Sequence, residues 1–153
     1  MKKVFLLLCF VLSIMMISCA GFTQYEDTNG EDNYRLQSIT EEMLINKNGG
    51  LQIGAVNSKT TKNGVTNISS SVHQFDGVES FHSFKKGSYE VKVSFTVSSG
   101  NARLVITDGN KIIYDFNINQ DDQVYEFTCN STYQLKLAGE ACEYNLKVEI
   151  KSK

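Results

Sequence analysis

From Tyr89 onward the chain alternates with a period of two. Tyr89, Val91, Val93, Phe95 and Val97 fall on one side, and Glu90, Lys92, Ser94 and Thr96 on the other. Successive side chains of a strand point to opposite faces, so this pattern specifies an antiparallel strand buried on one face and wet on the other. It excludes a helix, whose apolar stripe repeats every three to four residues. Ala102, Leu104 and Ile106 continue the theme after Ser99-Gly100, which reads as a turn. Asp108-Gly109-Asn110 then supplies the positive φ that a tight hairpin turn demands.

The rest of the C-terminal two-thirds follows suit. Ile112, Tyr114, Phe116 and Ile118 form the return strand, and Asn119 to Asp122 the next loop. Tyr125, Phe127 and Cys129 alternate, then Tyr133, Leu135 and Leu137, then Tyr144, Leu146, Val148 and Ile150. Upstream, Leu51 to Val56, Val65 to Phe75 and Val78 to Phe84 are strands with poorer patterning. Short strands at intervals of 8–12 residues with almost no helix specify an all-β fold, an antiparallel β-sandwich of jelly-roll type. No internal repeat is evident. At 153 residues the chain suits one domain and a tail.

The first 43 residues differ in character. Lys2 and Lys3 precede an apolar run from Val4 to Ile17, broken only by Ser13. This is too short for the roughly 20 residues of a spanning helix and suits the apolar region of an export signal. Met16-Ile17-Ser18-Cys19 resembles the bacterial lipobox, with Met16 in the place usually held by leucine. That resemblance implies a signal peptide at 1–18 and a diacylglyceryl group on the Cys19 thiol. Two or more acyl chains anchor a protein stably where one does not. The expected address is the extracytoplasmic face of a cell membrane. An ordinary secretory signal with an incidental cysteine is the alternative. Loss of residues 1–18 leaves 13 basic against 17 acidic side chains, which argues against nucleic acid or another polyanion as partner. Residues 19–43 read as an acidic, flexible tether. Across its end, Arg35 to Asn46 has a short helical stripe of Leu36, Ile39 and Met43, with Leu44 a further candidate, without a good capping box. The sandwich is expected over 44–153.

The stretch KKGSYEVKVSFTVSSGNARLVITDGNKIIYDF, with STYQLKLAGEACEYNLKVEI behind it, resembles the C-terminal halves of small lipoproteins of low-GC bacteria. The resemblance implies a sandwich similar to carbohydrate-binding modules and supplies no activity. Cys129 and Cys142 share the inward parity of their neighbours. Outside the cytoplasm they are a candidate disulfide; two buried thiols acting as small hydrophobes fit equally well.

Enzyme signatures are thin. The chain lacks G-x-S-x-G, H-E-x-x-H, P-loop and C-x-x-C patterns. His73 and His82 lie in separate strands near Asp76 and Glu79, and Asp108, Asp121 and Asp122 lie in loops; neither set has the dense spacing of a metal site. No cofactor or metal is expected. Phe81, Phe84 and Tyr89 cluster with Gln74, His82 and Lys86 and are the candidate ligand face, where a ring could stack on a sugar. The expectation is a non-catalytic binding or structural module of the cell envelope, for a glycan or another envelope component. The alternative is an accessory protein that docks a second envelope protein through a sheet face or edge.

Overall fold

The computed structural model describes residues 39–153. Cys19 and the expected signal peptide and most of the tether lie outside these residues. One short helix, α1 (Glu41–Asn46), precedes seven strands: β1 (Gly49–Ile53), β2 (Val56–Lys62), β3 (Val65–Phe84), β4 (Gly87–Thr107), β5 (Ile112–Phe116), β6 (Gln120–Cys129) and β7 (Tyr133–Ser152). All pairings are antiparallel. Among the described residues no helix is long and apolar enough to cross a membrane.

Three strands are 20 or 21 residues long, far beyond the usual length of about 5–6. Each bends in the middle and contributes to two layers. The register shows this directly. The first half of β3 pairs with the second half of β7, which pairs with the first half of β4, and β2 and β6 flank that set. The second half of β3 pairs with the first half of β7, which pairs with the second half of β4, and β1 and β5 flank that set. Counted as halves, the chain has the strand order of a jelly roll, so the expected all-β sandwich is correct.

The bends coincide with register shifts, between Val72 and Gly77 in β3 and between Val97 and Asn101 in β4. Gly100 has φ +70° and Gly77 φ +132°. A bulge accommodates one extra residue and kinks the strand, and glycine takes the positive φ freely. Ser99-Gly100, read as a turn from sequence, is therefore a bend inside one continuous strand. By contrast Asp108-Gly109-Asn110 is the expected turn: the Asp108 carboxylate accepts from the amides of Asn110 and Lys111 at 2.8 and 2.9 Å.

The two inner faces meet in one core. Val91, Val93 and Phe95 stand opposite Ile150, Val148 and Leu146 in one layer, and Leu104 and Ile106 opposite Leu137 and Leu135 in the other. A second, smaller cluster lies on the outer face of the β1-containing layer, where Leu44 packs on Val78, Val105 and Ala138 with Ile39 and Met43 at its rim. Helix α1 thus packs as part of the domain, which among the described residues includes Ile39 to Met43 ahead of the expected start at residue 44. The Thr40 hydroxyl accepts from the Met43 amide at 3.2 Å and caps the helix without a complete capping box. At the other end the buried Lys136 ammonium donates to the carbonyls of Ile45 and Lys47. These are carbonyls a helix leaves unpaired.

Candidate functional site

A jelly roll has two open sides, where the edge strands of the two layers face one another. On the β5/β6 side, aromatic rings fill the gap. Tyr114 of β5 stacks on Tyr125 of β6 with centroids 3.9 Å apart, and the stack continues through Phe127 to Tyr133. Burial, with the neighbouring Tyr114 and Tyr133 hydroxyls, raises the Tyr125 pKa. That side is plugged.

The β1/β2 side is polar. The Tyr144 hydroxyl lies 3.0 Å from Ser70 Oγ in the buried interior, and Ser70 Oγ donates to Asn57 Oδ1 at 2.5 Å. Asn57 Nδ2 donates to Gln52 Oε1, and Gln52 Nε2 to the Glu79 carboxylate. A chain of side chains thus runs from the core out to the mouth between β1 and β2. Each member has inward parity: Asn57 opposes Ser70, and Gln52 comes from the facing layer's edge strand. Burial raises the Tyr144 pKa to about 12, so its hydroxyl keeps its proton. Burial also raises the pKa of Glu79, partly offset by the Gln52 bond.

Lys59 spans the mouth. Its ammonium donates to the Phe81 carbonyl at 2.9 Å and so ties β2 to the opposite layer. Phe81 falls at the register shift between Ser80 and His82 and has no cross-strand partner. A bulge re-aims the side chain it carries, and bulges gather next to functional sites. Beside this ring lies an open recess of about 270 Å³, lined by Asn57, Ser58, Lys59, Glu79, Ser80 and Phe81. His82 is half buried, and its Nδ1 lacks a partner; burial and the Lys59 charge lower its pKa, favouring neutral imidazole. A partly covered aromatic ring among amide, hydroxyl, carboxylate and ammonium groups can stack on an apolar ring face and bond its hydroxyls.

A second recess, of about 360 Å³, crosses the outer face of the other layer between Ser58, Asn67, Lys92 and Lys147. It has no aromatic lining, and Lys92 is already paired with Asp122 at 2.9 Å.

The sequence-chosen residues separate accordingly. Of the candidate ligand face, only Phe81 lines the mouth. Phe84 is fully buried, with edge-to-face contacts to Tyr89 and Phe127, because the bulge at Phe81 returns it to inward parity. Tyr89 packs at the rim of the core beside the aromatic plug. Cys129 and Cys142 are both buried, as their parity requires, but they are free thiols and the candidate disulfide is not formed. They belong to different strand pairs, Cys129 opposite Gly87 and Cys142 opposite Phe75. Cys129 donates to the Lys85 carbonyl, and burial pushes the Cys142 thiol up to about 11. His73 is exposed and 3.7 Å from Glu143, away from His82. Gln52, Asn57 and Lys59 were missed by sequence reasoning, and Glu79 was named only as a neighbour of the histidines. Their signal is polar side chains at inward parity in strands that should bury apolar ones.

No protein-family model matches the chain. No curated protein matches it. Among solved structures it is similar to a cupin domain from Bordetella pertussis Tohama I, with 12% identity and a TM-score of 0.37, over 69% of this chain and 99% of that one.

Proposed function

We propose that this protein is a lipid-anchored, extracytoplasmic module of the cell envelope whose sandwich binds a glycan, without catalysis, at the β1/β2 mouth. The observation that carries the binding reading is the contrast between the two open sides. One is sealed by stacked rings; the other holds an accessible recess with one bulged aromatic, Phe81, among hydrogen-bonding side chains. Concave sites with a few placed polar groups are where small ligands bind. The anchoring reading rests on Lys2-Lys3, the apolar run and Met16-Ile17-Ser18-Cys19. The test of binding is retention of the full-length chain, in detergent, on isolated cell-wall polysaccharide. Saturable retention lost in Phe81→Ala supports the reading, and equal retention of the two contradicts it.

A second reading, docking to another envelope protein, is favoured by the same edge. Leu51 and Ile53 of β1 and Val56 of β2 are 58%, 50% and 72% exposed on strands that each lack a partner on one side. Unpaired edges template further strand pairing. Retention of one envelope protein and no polysaccharide, abolished by Val56→Lys, would favour it.

A further inference from the structure

Resting on the glycan reading, we infer that the mouth selects one sugar ring bearing both an ammonium and a carboxylate group, an amino-sugar acid. Two opposite charges line the recess, Glu79 from one layer and Lys59 from the other. Among the described residues neither takes part in an ion pair. The Glu79 carboxylate accepts from the neutral amide of Gln52, and the Lys59 ammonium donates to a neutral carbonyl.

Charge-assisted hydrogen bonds are roughly twice as strong as neutral ones, and Glu79, the partly buried member of the pair, gains more from a charged partner than the exposed Lys59. A neutral sugar leaves both charges uncompensated. A purely acidic ligand meets Glu79, and a purely basic one meets Lys59. A ligand with one group of each sign satisfies both at once. The recess, about 270 Å³, lies just below the usual range of roughly 300–1,000 Å³ for drug-sized pockets, so it suits one ring. Phe81 supplies the stacking face, and Asn57 and Ser58 the partners for ring hydroxyls.

Four probes separate the charges: muramic acid (ammonium and carboxylate), N-acetylmuramic acid (carboxylate alone), glucosamine (ammonium alone) and N-acetylglucosamine (neither). Affinities are measured by calorimetry on the full-length chain in detergent. Muramic acid is expected to bind tightest, by roughly several-fold over each singly charged probe. Glu79→Gln should erase its advantage over N-acetylmuramic acid, and Lys59→Gln its advantage over glucosamine. Lys59 is exposed, so its replacement leaves the fold in place even where Glu79→Gln does not. Equal affinity for all four probes overturns the inference, as does muramic acid binding untouched by Lys59→Gln. Failure of every probe while wall polysaccharide is still retained through Phe81 removes the charge selectivity and leaves the glycan reading standing; failure of the polysaccharide as well removes both.

Discussion

Phe81 and Phe84 lie three residues apart in β3 and serve different ends. Phe84 fills the core against Tyr89 and Phe127, so Phe84→Ala is expected to cost about 3–5 kcal/mol in urea unfolding. Phe81 sits at a bulge, is only partly buried and lines the recess, so Phe81→Ala should cost less and show itself in ligand retention. Glu79 adds a pH signature. Its folded pKa is raised above the usual 4.5 by burial, so ionising this carboxyl costs the folded chain more than the unfolded one. The stabilisation this gives is fully present below the unfolded pKa and is lost as pH rises through the folded value. Denaturant melts across that window should show wild-type stability falling relative to Glu79→Gln as pH increases. A gap that is flat or widens with pH contradicts the assignment. Phe81 was legible in the sequence as an aromatic beside polar residues. Glu79 and Lys59 were not, because they are twenty residues apart and meet only across two layers.

At the scale of elements, the long strands carry the architecture. Alternation identified most strand segments, since over most of β3, β4, β6 and β7 one face is buried and one wet; under helix α1 both faces of β4 and β7 are buried. It did not reveal that Tyr89–Val97 and Ala102–Ile106 belong to one strand. Ser98-Ser99-Gly100 offers the local chemistry of a turn, and only pairing with β7 on both sides of the bend makes it a corner. Strand β2 was missed for another reason: all its residues are exposed to some degree on an edge, and Val56–Lys62 has no apolar alternation. Gly100 tests the corner. A Cβ there would meet the backbone carbonyls of Glu140 and Ala141, whereas one at Gly109 meets nothing. Both have positive φ. Gly100→Ala should therefore destabilise by about 1–3 kcal/mol and by more than Gly109→Ala in the same unfolding assay. Helix α1 is pinned at its end by Lys136, whose ammonium reaches the last carbonyls. Lys136→Met keeps the stem and removes the donor. It should raise hydrogen exchange in Glu41–Lys47 while the sheet amides keep their protection.

At the scale of the molecule, one sandwich has one closed side and one open side, and the proposed anchor would hold it at a membrane surface. The anchor is tested by acyl labelling in cells: Cys19→Ala should abolish incorporation of a labelled fatty acid and release the chain from the membrane fraction, and persistent labelling contradicts it. The central claim concerns the open side, and backbone chemical-shift mapping addresses it most directly. The full-length, isotope-labelled chain in detergent is titrated with fragments of wall polysaccharide. Shifts concentrated at Asn57, Lys59, Glu79 and Phe81, with the Tyr114 to Tyr133 plug unmoved, are the predicted result. Shifts confined to the outer-face recess around Lys92 and Lys147, or to the plug, would contradict it.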